Sequence, residues 1–460
     1  MIMEISSNKP KNSERVVLDN DLIKSTISFT NNKDLTSLKE TLKNVHPGDL
    51  ADLLTFLDVS QRIFLLNSLT KDLYSSVLAE IDDAIFDETF QDLEKEEVIE
   101  AISDMETNDA ISLIESLEPN DQRDILNQVS SEDRQILQES LDYPEDTAGR
   151  RMQKEYVALP SFWTVGQTID YLREELDLPK DFLEIFVVNP LNEPIGTIPV
   201  SRVLRTARSR SLEGITLKDP ILIPATMDQE EVAYQFEKYS LVSAGVIDNA
   251  GKLIGRITAD DIVWVLQEEA EEDILRLGGL SEAESNQSIF ASTRKRFVWL
   301  FLNLLTAILA SIVISLFDAS IEKMVALAIL MPIVASMGGN AGTQTLTLTI
   351  RSLATKELLS SNRKKIFNKE ISVSALNGII FAIITAISAY IWFNDLSLSV
   401  IVGLAIIVNI FSAGVFGFLI PYSLNWLKID PAIASSVFVT TVTDVIGFLS
   451  FLGLASIFLL

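Results

Sequence analysis

The sequence predicts a multidomain membrane protein: an all-α superhelical domain, an α/β tandem repeat, an acidic linker helix and a five-helix transmembrane domain. Three observations carry this. First, 48% hydrophobic residues and a formal net charge of −27 conflict in an ordinary soluble chain. Cutting near Ile289 resolves the conflict. From Ala291 onward there are 11 basic and 7 acidic residues, leaving 26 basic and 57 acidic before it. Second, one stretch repeats itself at an offset of 59 residues. Third, five apolar stretches follow Ile289. At 460 residues the chain also exceeds the roughly 250–300 residues at which single cores stop growing.

Residues 1–33 form a polar tail, and no secretory leader is expected there. Residues 34–142 read as short amphipathic helices, each behind a cap-like group. Pro47-Gly48-Asp49 precedes Leu50–Leu57, Thr107-Asn108-Asp109 precedes Ala110–Leu117, Pro119-Asn120-Asp121 precedes Arg123–Val129, and Ser130-Ser131-Glu132 precedes Arg134–Leu141. No segment buries its apolar face alone, so they stack as a superhelix or a bundle.

Tyr143–Arg150, with Pro144 and Gly149, marks a junction. The repeat then occupies 143–213 and 214–264. Gly196 corresponds to Gly255, Ile198 to Ile257 and Val203 to Ile262. Each copy reads helix, strand, turn, strand, helix. Asp260–Leu277 reads as one helix within an acidic linker spanning 265–293. On it Glu268, Glu269, Glu272 and Asp273 share a face, where like charges repel unless neutralised. Gly278-Gly279 ends it.

The transmembrane domain, 294–460, holds stretches at Phe297–Phe317, Met324–Ile350, Ile371–Phe393, Val400–Leu424 and Ala432–Leu460, each long enough for a spanning helix. Lys and Arg cluster before the first, between the second and third, and between the fourth and fifth. That places the N-terminal region in the cytosol and the C-terminus outside the cell membrane. The second stretch is interrupted by Pro332 and by Gly338-Gly339-Asn340-Ala341-Gly342, so broken backbone around a cavity is expected, with close packing through small residues as the alternative. Asp444 is the only acidic residue of the last stretch. A carboxylate at that depth points to an ion pathway. The alternative is an Asp packing two helices with Thr440, Thr441 and Thr443 as its partners.

There is no cysteine, and His46 is the single histidine. Disulfides, Cys-based zinc sites and thiol nucleophiles are excluded, leaving oxygen ligands and hard cations such as Mg²⁺ or Ca²⁺. The acidic surface repels nucleic acid and attracts cations. No P-loop or nucleophile–base pair is present, so an enzyme is not expected.

The repeat resembles a tandem pair of cystathionine-β-synthase (CBS) domains, a class that often binds adenine nucleotides such as ATP. Gly255-Arg256-Ile257-Thr258-Ala259-Asp260-Asp261 matches the ribose-contacting pattern of that class; Gly196–Arg202 in the first copy lacks its Thr and Asp. For Thr258 and Asp261, helix capping and nucleotide contact stand level.

Taken with Tyr143–Arg151, Met331-Pro332, Gly338–Gln344, Asp430-Pro431-Ala432 and Thr440–Gly447, the chain resembles the MgtE-type magnesium transporter family. The resemblance implies a homodimer in the lipid bilayer that passes hydrated Mg²⁺. Asp444 would line the pore, with carbonyls near Thr440 and the Gly339-Asn340 segment beside it. It further implies cytosolic Mg²⁺ sensing by Asp109, Asp228, Glu230, Asp261, Glu269, Glu272 and Asp273, with 265–293 acting as a plug helix. Ser436-Val437 stands where many members carry a Pro, and Ser240 and Trp264 replace two acidic positions. The competing readings are a carrier of Co²⁺ or Mn²⁺ and a membrane-anchored nucleotide sensor.

Overall fold

The computed structural model describes residues 18–175, 178–179, 181–280, 289–358 and 362–459. It falls into two units, Met1–Leu266 and Gln267–Leu460.

The first unit begins with α1 (Asn20–Asn31), α2 (Leu35–Leu42), α3 (Pro47–Leu54), α4 (Val59–Leu66) and α5 (Lys71–Ala79). They are followed by α6 (Asp83–Phe90), α7 (Lys95–Asp104), α8 (Thr107–Glu115), α9 (Pro119–Gln128) and α10 (Ser131–Leu141). Each is too short to be stable alone. Together they bury one continuous core that runs from Leu22 through Leu50, Leu65, Val77, Phe86, Val98 and Ile114 to Leu137. The caps stop and start these turns. Asp58 and Gln61 form a reciprocal capping box on α4, and Ser130 accepts from Asp133 N on α10. His46 caps α3, its Nδ1 accepting from Gly48 N at 3.2 Å, so the lone imidazole closes a helix end. Thr107-Asn108-Asp109, expected ahead of a helix, instead form the first turn of α8. Pro47-Gly48-Asp49 and Pro119-Asn120-Asp121 likewise form the first turns of α3 and α9, and at α8 Glu155 receives the Thr107 hydroxyl at 2.7 Å and its N–H at 3.2 Å, supplying the carboxylate that a helix N-terminus favours.

The repeat follows α11 (Ala148–Arg151). Its first copy holds β1 (Ala158–Pro160), α12 (Val165–Glu174), β2 (Glu184–Val188), β3 (Pro194–Pro199), α13 (Val200–Leu204) and β4 (Leu217–Lys218). The second holds β5 (Leu222–Pro224), α14 (Gln229–Tyr239), β6 (Ser243–Ile247) and β7 (Leu253–Thr258). The sheets run β1-β2-β3-β4 and β5-β6-β7, each opening with a parallel pair and continuing antiparallel. The 59-residue offset survives in the register. Gly196 lies opposite Val187 and Gly255 opposite Val246, and both copies carry an irregularity one residue later. A Cβ at Gly255 would stand 2.7 Å from Met152 Sδ, so the glycine lets the 152–153 backbone cross this strand.

In the second unit α15 (Ala259–Leu277), which starts in the first, is followed by α16 (Ile289–Ser315), α17 (Asp318–Lys323), α18 (Ala326–Ala354), α19 (Arg363–Phe393), α20 (Leu396–Trp426) and α21 (Pro431–Phe458). Among the described residues five helices, α16, α18, α19, α20 and α21, are long and apolar enough to cross a membrane. Helix α20 sits centrally, packed on α18, α19 and α21: 61% of its apolar window is buried, against 6% for α16. One expectation needs correcting. Helix α18 is continuous through Pro332 and the glycine run. Its glycines serve packing instead. A Cβ at Gly342 would meet Val439 Cγ1 at 2.5 Å, and one at Gly417 would meet Gly342 O at 2.9 Å. Small residues bring three backbones together, as membrane interfaces favour.

Candidate ion site and sensing carboxylates

Two membrane helices carry the polar groups singled out in the sequence. On α18, Gly339, Asn340, Thr343 and Thr347 lie along the side that the other four helices leave open. Thr343 donates to Gly339 O at 3.0 Å and Thr347 to Thr343 O at 2.9 Å, while Asn340 Nδ2 reaches Ser336 Oγ at 3.3 Å. On α21, Thr440 is exposed and Asp444 half-buried. The threonine hydroxyls near Asp444 are spent on their own helix: Thr440 donates to Ser436 O, Thr441 to Val437 O and Thr443 to Thr440 O. Among the described residues the Asp444 carboxylate has neither hydrogen-bond partner nor cation. The arrangement proposed for a purely structural Asp, threonines satisfying it, is therefore not what these rotamers make.

The candidate sensing carboxylates gather in separate places. Asp109 on α8 meets Asp261 on α15 through Asn108, whose Nδ2 donates to Asp109 Oδ1 at 3.1 Å and Asp261 Oδ1 at 2.9 Å. Burial first, then Glu106 and Asp261, push Asp109 up to about 7. Burial also raises Asp261, opposed by its hydrogen bonds from Thr258. Asp261 Oδ2 accepts from Thr258 N at 2.9 Å and Thr258 Oγ1 at 2.6 Å, and Gln153 Nε2 adds a third donor at 3.1 Å. So Thr258 and Asp261 form the helix-start bonding that competed with nucleotide contact. Asp228 caps α14, accepting from Glu230 N at 2.9 Å, with Glu230 in the first turn.

On α15, Glu269, Glu272 and Asp273 lie in the second unit. Arg276 pairs with both Glu272 and Asp430, and Asp430 also accepts from Ala432 N at 2.7 Å to cap α21. Asp273 is raised, by burial first and then by Asp430. Among the described residues no three acidic or histidine side chains converge as a ready metal cage. Paired carboxylates suit Mg²⁺, which keeps several waters and takes one or two protein oxygens.

Sequence reasoning missed Asp430 as Arg276's partner, and it missed Asn409, which is fully buried in α20. The signal for Asn409 was a lone amide in an apolar run.

The half-buried pair at Asn108 predicts a pH dependence. Asp109 holds its proton up to about 7 when folded, against 3.8 unfolded. The folded state then binds more protons between those values, so stability falls as pH rises through that window and levels above it. In Mg²⁺-free buffer, Asp109→Asn flattens this fall and stabilises the protein at pH 8 by about 1–2 kcal/mol, discounted for solvent screening. Thermal midpoints of both proteins from pH 4 to 8 check this; parallel curves would refute it.

Comparison with known families and structures agrees with this layout. Residues 331–454 match the family described as "MgtE: Divalent cation transporter", residues 45–146 the MgtE intracellular N domain, and residues 212–268 the CBS domain. A magnesium transporter MgtE of Thermus thermophilus is 33% identical over 445 residues, 93% of this chain and 96% of that protein. One of Bacillus subtilis is 28% identical over 332 residues, 72% of this chain and 74% of its own. Two solved structures share the fold of the first half. One is the soluble part of a magnesium transporter, with TM-score 0.50 and 22% identity, covering 54% of this chain and 98% of its own. The other is the cytosolic domain of the Mg²⁺ channel MgtE in complex with ATP, with TM-score 0.51 and 24% identity, covering 53% and 99%. With near-complete coverage at 33% identity, the chain belongs to the MgtE family of divalent cation transporters.

Proposed function

We propose that this protein carries Mg²⁺ across the cell membrane as a homodimer, with Asp444 of each chain on the ion path and the acidic N-terminal region on the cytosolic side. The observation that carries this is the carboxylate itself: Asp444 lies on a spanning helix, half-buried, with its nearby hydroxyls turned elsewhere. A charge so placed persists where a cation or water reaches it.

Dimerisation follows from the open side of α18. Asn340, Thr343 and Thr347 are exposed within a spanning segment, where lipid offers them nothing. A second copy related by a two-fold axis covers them and doubles the carboxylate. Mg²⁺ gives up water reluctantly. Such a path suits the hydrated ion, held by carboxylates, hydroxyls and carbonyls through its waters. Orientation rests on Arg351, Lys356, Arg363, Lys364, Lys365 and Lys369 between α18 and α19, and on Lys428.

The carboxylates at Asp109 and Asp261, at Asp228 and Glu230, and at Glu269, Glu272 and Asp273 are the sensing groups of this reading. ATP at the second CBS copy is its secondary part. There Asp261 Oδ2 exchanges its bonds with Thr258 for a ribose hydroxyl.

Purified protein in liposomes tests the central claim. A Mg²⁺-sensitive dye inside the vesicles reports uptake down a gradient, and uptake of Mg²⁺ exceeds that of Mn²⁺ and Co²⁺. No uptake, or preference for either other ion, overturns it.

A further inference from the structure

Asn409 stands midway along α20 with none of its surface exposed. It is wedged between two helices. A Cβ on Gly338 of α18 would overlap its amide, and one on Gly447 of α21 would stand 2.6 Å from its Nδ2. Gly447 is three residues from Asp444. The amide donates to Val334 O on α18 at 2.8 Å. Its Oδ1 is buried and, among the described residues, has no hydrogen-bond partner. An unmatched acceptor in an apolar interior is a standing cost that offsets the one bond the amide makes, so stability alone gives little reason for an amide here. An apolar side chain would fill the same space without that cost.

We propose that Asn409 is a positioning residue for ion passage. Its amide hydrogen-bonds α18 and fills the notch at Gly447, fixing the rotation and depth of α21, and so of Asp444, against the polar side of α18. The proposal rests on the reading of Asp444 as the ion-path carboxylate. Two glycines on different helices admit one amide between them. The hydrogen bond to Val334 O gives that contact a direction that packing of small residues lacks.

Asn409→Leu keeps the branching and approximate size while removing donor and acceptor. Three readings are taken: Mg²⁺ flux into liposomes, thermal midpoint in detergent, and the distance between spin labels on Leu348→Cys of α18 and Phe438→Cys of α21. Both label positions are exposed, and the chain has no cysteine to interfere. Flux is expected to fall at least about tenfold. The midpoint stays level or rises, and the label distance shifts or broadens. Wild-type flux with an unchanged distance overturns the proposal, as does a midpoint that collapses together with flux while the distance holds. If Asn409→Leu does not assemble, Asn409→Ser, too short to reach both helices, is read the same way: retained flux overturns the proposal, and lost flux with a displaced label supports it. Asp444→Asn is measured alongside. Full flux there removes the ion-path reading itself. Lost flux there beside an unimpaired Asn409→Leu removes only the role of Asn409.

Discussion

Asp444→Asn is expected to cut Mg²⁺ flux by at least about a hundredfold and to leave the protein folded. Asn keeps the shape and one carbonyl oxygen but removes the field that replaces a divalent ion's lost solvation. At an effective dielectric near 20 and a separation of about 4–5 Å, a carboxylate attracts a unit charge by roughly 3–4 kcal/mol, and a divalent ion by more. In the proposed homodimer two symmetry-related groups would double the loss. Even after water screens much of this, at least a hundredfold in rate is expected, about 2.7 kcal/mol at 1.36 kcal/mol per tenfold. Stability behaves oppositely. Thr440, Thr441 and Thr443 donate to their own helix, so no hydrogen bond to Asp444 is lost. A neutral amide also costs less to hold at that depth than a carboxylate. Flux and thermal midpoint measured on the same preparation decide the matter. Undiminished flux would falsify the ion-path role, and a large drop in midpoint would return Asp444 to the packing role.

Much of this was legible in the sequence where cause and effect are local. The five spans follow from long apolar runs, and the repeat from Gly196 and Gly255, whose spacing reappears in the strand register. The capping role of Asp261 toward Thr258 was one of two readings, three residues apart on the chain. What escaped lies far apart in sequence. Whether Gly338 and Gly342 break α18 or pack it depends on what stands opposite. That is Asn409 and Val439, some 70 to 100 residues away. Both outcomes use the same residue type, so composition could not choose between them. The carboxylate that receives the first turn of α8, Glu155, is likewise distant in sequence. Asp430 stood out only as part of the Asp430-Pro431-Ala432 motif. Its pairing with Arg276, 154 residues earlier, has no periodicity or motif to announce it.

That pairing shapes what neutralising the linker helix does. Glu269→Ala, Glu272→Ala and Asp273→Ala combined raise the Mg²⁺ concentration needed to protect the α15–α16 connection from proteolysis by about tenfold. Asp273 is disfavoured as a carboxylate by burial and by Asp430, a strain that a bound cation relieves. Arg276 already occupies one cationic position between Glu272 and Asp430. A divalent ion therefore has Asp273 as its ligand of first resort, and that group is removed. The shift is in the midpoint, because losing ligands weakens binding without removing the state that bound Mg²⁺ favours. Screening offers a rival account: the region before Ala291 carries 57 acidic and 26 basic residues, and any salt reduces their repulsion. Monovalent salt at matched ionic strength separates the two. If it protects wild-type protein as well as Mg²⁺ does, or if the triple substitution leaves the Mg²⁺ curve in place, the acidic run on α15 is a solvated face and senses nothing.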